Sequence, residues 1–270
     1  MEVFYKNKLL EAYLHKLNDN ISVGFVPTMG ALHKGHLSLI ERAKAENDIV
    51  IVSIFVNPTQ FDNKEDLIKY PKDLKQDLQF LKNVNCDVVF APDTKEIYND
   101  QIKAESFDFD GLEHEMEGKH RKGHFDGVGT IVKKLLEIVR PDKAYFGEKD
   151  FQRLQIIKKL VENFHLPVKI EGCDIFREED GLAMSSRNTR LTKVQRSEAP
   201  HIFQIIKKAK AKFKTESITE VIKWVEKQFK NKEQSNRLFN LMIIYVDFLL
   251  GQGESVVCEG LFIALNRKQK

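Results

Sequence analysis

The sequence predicts an α/β fold, a doubly wound parallel sheet with a smaller C-terminal α+β domain, on three observations. Ile49-Val50-Ile51-Val52-Ser53-Ile54-Phe55-Val56 is an almost unbroken apolar run, as in a strand covered on both faces, and such strands belong to parallel sheets sandwiched by helices. Helical periodicity and short apolar runs alternate as far as Gly147, which implies successive crossover units of right-handed sense. Polar, hydrogen-bonding residues follow the strands directly, and ligands of open α/β sheets bind beyond the carboxyl ends of strands.

Taken in order, Leu9, Leu10, Tyr13, Leu14 and Leu17 share one face of a first helix over 6–17, closed by the turn-forming Asn18-Asp19-Asn20. Val23-Gly24-Phe25-Val26 is a strand running into Pro27, and Leu37, Ile40 and Ala43 open a helix soon after. The apolar run at 49–56 is the next strand. A helix bearing Leu74, Leu78 and Leu81 leads to Asp87-Val88-Val89-Phe90, and a helix over 127–139 leads to Lys143-Ala144-Tyr145-Phe146-Gly147. Beyond Ile175-Phe176 the texture changes to a polar loop, lysine-rich helices and two apolar segments, 241–250 and 259–265. The domains are therefore expected to be 1–176 and 177–270.

Composition narrows the class of protein. Among 270 residues, 42% are hydrophobic and 31% charged, and no apolar run nears the roughly 20 residues of a membrane-spanning helix. The N-terminal Met1-Glu2-Val3-Phe4-Tyr5-Lys6 lacks the apolar core of a signal peptide, so a cytoplasmic protein with no membrane partner is expected. A net charge of +3 gives no electrostatic footprint for nucleic acid. The lysines of 207–214 have the spacing of a solvated helix face. Cys86, Cys173 and Cys258 are scattered, without a C-x-x-C pair, as reduced thiols in a reducing compartment would be.

The chemistry centres on Pro27-Thr28-Met29-Gly30-Ala31-Leu32-His33-Lys34-Gly35-His36, where strand, turn and helix start meet. Unpaired N–H groups and the positive end of a helix dipole make such a turn a phosphate cradle. A histidine held there is expected to be neutral and to donate an N–H to a phosphoryl oxygen. No nearby carboxylate or cysteine completes a zinc set. Ser185-Ser186-Arg187 offers hydroxyls and a guanidinium to a polyphosphate, and Lys149 offers a cation to a phosphoryl transition state. Asn57 and Gln60 carry amides suited to the hydroxyl and carboxylate of a small polar substrate. Asp77 is a candidate for meeting a magnesium nucleotide, directly or through water. Arg121-Lys122-Gly123-His124-Phe125 offers a further cationic or stacking contact, or is simply a loop. Each of these features also has a plainer account, as a helix cap, a solvated face or a turn. No Ser-His-Asp or Cys-His order stands out, and P-loop and dinucleotide glycine signatures are absent.

Four segments together resemble the pantoate–β-alanine ligase family: residues 27–36; Ser53-Ile54-Phe55-Val56-Asn57-Pro58-Thr59-Gln60-Phe61; Phe146-Gly147-Glu148-Lys149-Asp150; and Asp180-Gly181-Leu182-Ala183-Met184-Ser185-Ser186-Arg187-Asn188. The resemblance implies a Rossmann-like nucleotidyltransferase domain and a small C-terminal lid domain, usually in a homodimer. It implies that pantoate attacks the α-phosphate of ATP, giving pantoyl adenylate and pyrophosphate, and that β-alanine then displaces AMP to give pantothenate, a coenzyme A precursor. Magnesium is implied alongside ATP. By resemblance, Met29, Gly30, Ala31, Leu32, His33, Lys34, Gly35 and His36 line the ATP site, with His36 as proton donor and His33 on phosphate. Gly147, Glu148, Lys149, Asp150, the backbone of Phe176, Met184, Ser185, Ser186 and Arg187 complete it. Gln60, with Asn57 alongside, holds pantoate and β-alanine.

The sequence departs from the family at three places. Arg153 stands where the family has a glutamine that contacts pantoate, and an arginine there can still meet a carboxylate. Lys122 replaces the usual proline before Gly123-His124-Phe125, and the chain ends in Ala264-Leu265-Asn266-Arg267-Lys268-Gln269-Lys270 rather than the usual Arg-Leu-Ile-Asp-Asn. Two rivals stay open at this point. One is a nucleotidyltransferase that releases a nucleotidyl product, and the other is a binding module that uses the late lysines without turnover.

Overall fold

The computed structural model of the chain describes residues 1–61, 64–99 and 101–230. In chain order the elements are β1 (Glu2–Phe4), α1 (Asn7–Leu14), β2 (Val23–Thr28), α2 (Lys34–Glu46), β3 (Ile49–Ile54), α3 (Lys64–Ile68), α4 (Leu74–Asn83), β4 (Val88–Phe90), α5 (Thr94–Tyr98), α6 (Met116–His120) and α7 (His124–Val139). They continue with β5 (Lys143–Gly147), α8 (Phe151–Asn163), β6 (Lys169–Cys173), α9 (Lys193–Glu198), α10 (Pro200–Lys212) and α11 (Ile218–Lys230). Single turns of 3-10 helix lie at Pro58–Gln60, Leu112–His114, Glu148–Asp150 and Ser186–Arg190.

Among the described residues six strands form one sheet in the order β1-β4-β3-β2-β5-β6, with every pairing parallel. This is the Rossmann-like α/β sheet that the sequence predicts. Its order reverses at β2, which pairs with β3 on one side (Phe25 opposite Ile51) and with β5 on the other (Phe25 opposite Ala144). Chain leaving β2 and β5 departs to opposite sides, so the crevice of a doubly wound sheet opens at their carboxyl ends.

Alternation along the strands builds two cores. Phe25, Ile51, Val88, Phe90 and Ala144 face one way, against Leu10 of α1, the Val128, Ile131, Val132, Leu135 and Leu136 stripe of α7, and Ile156, Ile157 and Leu160 of α8. Val26, Val50, Val52, Val89 and Tyr145 face the other, against Leu39, Ile40 and Ala43 of α2 and Leu81 of α4. The two-sided burial read from 49–56 is thus met by residues at successive positions of β3. Cys86 and Cys173 are buried and unpaired.

Some boundaries differ from the sequence pattern. The first helix stops at Leu14 rather than Leu17, and Leu9 on its expected apolar face is 58% exposed, because Leu10 alone of that helix reaches full burial. The helix expected over 127–139 begins at His124, preceded by Gly123 in the left-handed region at φ 76°. The edge strands β1 and β6 and helix α8 have no counterpart in the sequence reading.

The described residues form two compact units, one of Met1–Gly147 with Gln152–Phe176, the other of Glu148–Phe151 with the described residues from Arg177 to Lys230. Within the second, Arg177 and Ala183 bridge antiparallel around Gly181 at φ 90°. Thr192 caps α9 by accepting from Gln195 N–H at 3.2 Å. α10 buries Ile202, Ile205, Ile206 and Ala209 and exposes Lys207, Lys208 and Lys210, the solvated face expected of the late lysines. The segments 241–250 and 259–265, on which the β part of this domain was expected, lie outside the described residues.

One close approach positions the site from the fold itself. A Cβ on Gly127 would lie 2.4 Å from the carbonyl oxygen of Thr59 and 2.6 Å from the backbone nitrogen of Gln60, so α7 reaches the Pro58–Gln60 turn only without a side chain there. In an open helix Gly→Ala stabilises by about 1 kcal/mol. Gly127→Ala is expected instead to cost about 2–4 kcal/mol in urea denaturation, since backbone must move to admit the methyl group.

Candidate active site

β2 delivers its last residue, Thr28, into a hydrogen-bonded turn. The Thr28 hydroxyl donates to the Ser53 carbonyl at 2.8 Å and accepts from Gly30 N–H at 3.1 Å. Gly30 (φ 77°) and Ala31 (φ 50°) both lie in the left-handed region. At Gly30 a Cβ would also stand 2.8 Å from an Asp77 carboxylate oxygen and 3.1 Å from Ile54, so glycine is demanded twice over. The backbone conformation aims successive N–H groups at Asp77 of α4. Ala31 donates to its Oδ2 at 2.9 Å and Leu32 to its Oδ1 at 2.7 Å. Asp77 is 2% exposed, and burial pushes its carboxyl above the ordinary range against the pull of these two donors.

His33 then caps α2. Its Nδ1 accepts from Gly35 N–H at 3.1 Å, and its own N–H reaches Nδ1 of His36 at 3.3 Å. Because each Nδ1 accepts, each ring carries its proton on Nε2. The rings lie with centroids 4.1 Å apart and planes 36° from parallel. The sequence suggested a cradle of backbone N–H groups, but those of Gly30, Ala31, Leu32, His33 and Gly35 all have partners within the protein. The Nε2–H groups of the two imidazoles are not used in these contacts of the turn. Phe176 stands beside the helix start, its Cβ 3.5 Å from where a Cβ on Gly35 would be.

A second cluster surrounds the turn after β3. Asn57, 1% exposed, donates from Nδ2 to the carbonyl of Gly127 at 3.0 Å and to Oε1 of Gln60 at 3.2 Å. Gln60 Nε2 donates to the sulfur of Met29 at 2.9 Å, which joins this cluster to the histidine turn. From below, His124 supports the Gln60 backbone, with Nδ1 2.7 Å from the Gln60 carbonyl. A carbonyl only accepts, so Nδ1 carries the proton and Nε2 accepts from Arg121 at 3.1 Å. Burial, then the charges of Arg121 and Arg153, hold the His124 pKa down at about 4 despite Glu117.

The first unit thus brings together Met29 to His36, Asn57, Gln60 and Asp77, with Phe176 at the start of α2. Gly147 closes β5 at the same sheet edge, paired with Cys173 of β6. Arg153 on α8 lies near enough to His124 for its charge to act there, while its neighbour Gln152 is structural, donating to the carbonyls of Leu112 and Glu115 at 2.7 and 2.8 Å. Glu148, Lys149 and Asp150 form a turn in the second unit, where Lys149 pairs with Asp150 at 2.6 Å. In that unit Ser185 Oγ accepts from Arg187 N–H at 3.3 Å, and Asn188 ties the loop to Glu178 and Ala183. Met184, Ser185 and Ser186 are partly buried and Arg187 is exposed. Tyr98, whose hydroxyl donates to Asn57, joins this cluster without any local sequence signal.

Two outcomes follow from these contacts. Asp77→Ala orphans two N–H groups and is expected to lower stability by about 3 kcal/mol in equilibrium denaturation; a loss below about 1 kcal/mol would show that the turn does not depend on the carboxylate. For His124, the unfolded chain takes up its proton first as pH falls below about 6.5, so native stability is lost between there and about pH 4. Across that interval the wild type is expected to lose about 3 kcal/mol more than His124→Asn, measured by denaturation at each pH.

A sequence profile of the family described as Pantoate-beta-alanine ligase matches residues 2–254. Pantothenate synthetase of Christiangramia forsetii is 54% identical over 235 residues, covering 86% of this chain and 83% of the relative; that of Porphyromonas gingivalis is 44% identical over 252 residues, covering 93% and 87%. Among solved structures, pantothenate synthetase of Thermus thermophilus superposes with a TM-score of 0.79 at 38% identity, covering 87% of this chain and 84% of that one. Pantoate-beta-alanine ligase of Francisella tularensis, complexed with beta-gamma ATP and beta-alanine, gives 0.74 at 40% identity, covering 90% and 86%. With a histidine turn at the sheet's reversal point and relatives matched over most of its length, the chain belongs to the pantoate–β-alanine ligase family.

Proposed function

We propose that this ligase joins pantoate to β-alanine in two steps through pantoyl adenylate, releasing pyrophosphate and then AMP, and so forms pantothenate. In the first step a carboxylate oxygen of pantoate attacks the α-phosphorus of ATP and pyrophosphate leaves. In the second, the amine of β-alanine attacks the acyl carbon, loses a proton and expels AMP. The observation that carries the reading is the His33–His36 pair, two imidazoles held by their Nδ1 atoms with Nε2–H as the donor to the charge that develops on phosphoryl oxygens. His36 is proposed as the proton donor and His33 as a phosphate contact, within an ATP site lined by residues 29–36.

Lys149, Ser185, Ser186 and Arg187 are proposed to supply the remaining cationic and hydroxyl contacts to ATP, with Gly147, Glu148, Asp150, Phe176 and Met184 around them. Gln60, supported by Asn57, is proposed to hold pantoate and β-alanine. Arg153 is proposed to meet the pantoate carboxylate. Excluding water protects the mixed anhydride, and the buried amides are suited to that task.

Magnesium is proposed to arrive on the polyphosphate, whose negative charge it neutralises. Each oxygen of Asp77 accepts one N–H and keeps a further lone pair, so a contact from that carboxylate to the ion, directly or through water, is part of the proposal. Among the described residues no group of three or more His, Cys, Asp or Glu could hold a metal, so the phosphates would be its principal ligands. A cytoplasmic homodimer with no nucleic-acid or membrane partner completes the proposal; no described helix is long and apolar enough to cross a membrane.

The test is AMP formation from ATP and magnesium, with pantoate and β-alanine omitted in turn and pantothenate identified by mass spectrometry. AMP release is expected to need both substrates, whereas labelled pyrophosphate should exchange into ATP with pantoate alone. Exchange without pantoate, or AMP release indifferent to β-alanine, would overturn the reading. His36→Ala is expected to lower kcat for exchange about 100-fold or more, and Arg153→Ala to raise KM for pantoate about tenfold with KM for ATP unchanged.

A further inference from the structure

The two amides at positions 57 and 60 face a choice that side-chain shape alone does not make. Rotating either by 180° exchanges a donor for an acceptor at nearly constant volume. Surrounding groups of fixed polarity make the choice. The Gly127 carbonyl can only accept, and it lies 3.0 Å from one end of the Asn57 amide, so that end is NH2. Thr59 N–H can only donate, and it lies 3.4 Å from the other end, so that end is oxygen. The NH2 of Asn57 also meets Gln60 at 3.2 Å, so the facing atom of Gln60 is its oxygen and its own NH2 is turned toward Met29.

Tyr98 closes this chain. Its hydroxyl lies 2.5 Å from Asn57 Oδ1 and 3.0 Å from the Thr59 hydroxyl. It donates to Asn57 Oδ1, and the Thr59 hydroxyl stands beside both, 3.1 Å from the same Oδ1. Tyr98 is 4% exposed, and burial pushes its phenol above the ordinary range, so the donor keeps its proton.

We infer that Tyr98 is a positioning residue: its O–H holds the Asn57 amide in the orientation that the Gly127 carbonyl and Thr59 N–H set, and through it the Gln60 amide, so that Gln60 presents N–H and selects an acceptor oxygen, carboxylate or hydroxyl, on the acid substrate. The inference deepens the ligase reading and rests on it only for the identity of that acid. Flipping Gln60 would turn a carbonyl toward the substrate and repel a carboxylate. Specificity for an acid is then built two residues back from the contact.

Tyr98→Phe keeps the ring, which packs against Phe55 with centroids 6.3 Å apart, and removes only the hydroxyl. The expected result is a rise of about tenfold in KM for pantoate with KM for ATP within about twofold, and exchange of the Gln60 side-chain amide protons about tenfold faster by NMR. Thr59→Val removes a hydroxyl that lies 3.0 Å from that of Tyr98 and 3.1 Å from Asn57 Oδ1 and leaves the shorter Tyr98 donor on Asn57; its KM for pantoate should stay within about twofold of wild type. Either readout unchanged in Tyr98→Phe, or an equal rise in Thr59→Val, would overturn the inference. A wild type inactive with pantoate would overturn the ligase reading instead, and the Gln60 amide exchange, which needs no activity, would then decide the role of Tyr98.

Discussion

The structure depends on one carboxylate placed against two N–H groups. Two consecutive residues in the left-handed region, Gly30 and Ala31, bend the chain sharply between β2 and α2 and leave the N–H groups of Ala31 and Leu32 pointing into the protein. Without partners, each buried donor would cost on the order of 1–3 kcal/mol. Asp77 meets both, and it does so from α4, which Leu81 fastens to the same face of the sheet as α2. The turn is therefore held by the core rather than by its own local sequence.

A division of labour follows. Glycine-rich phosphate loops bind anions with backbone N–H groups, whereas here those groups are consumed in shaping the turn. The two histidine side chains are in turn held in place by the N–H groups that their Nδ1 atoms accept from. The same logic recurs at Asn57 and Gln60, where backbone groups of fixed polarity orient side-chain groups of ambiguous polarity. In both places rigid backbone sets a direction and a side chain presents it.

Legibility in the sequence tracks the range of the interactions concerned. The two-sided burial of β3 is written into eight consecutive residues, and the histidine turn into ten, so strand, turn and helix start were all readable. The edge strands β1 and β6 were not, because each is short and only partly covered, and no alternation or long apolar run marks it. From sequence alone Asp77 is a helix-face carboxylate that could meet a nucleotide, since the turn it holds lies 45 and 46 residues earlier. Tyr98 escaped notice for a similar reason, being 41 residues from Asn57. The resemblance to the ligase family supplied residue roles, but it could not show which hydrogen bonds those residues had already spent. Lys149 and the Ser185-Ser186-Arg187 loop fall in the second unit, so their chemistry was legible while their distance from the histidines was not.

The buried thiols have a practical consequence. Desolvation pushes Cys86 up to about 12 and Cys173 up to about 11, the latter despite the Arg42 guanidinium beside it. At neutral pH the reactive anion of either is then a fraction on the order of one in ten thousand or less. Electrophilic reagents would pass both over while the protein stays folded. A cysteine introduced on the exposed surface of the first unit could therefore carry a fluorophore or spin label past these two native thiols without their first being removed, once Cys258, outside the described residues, has been replaced.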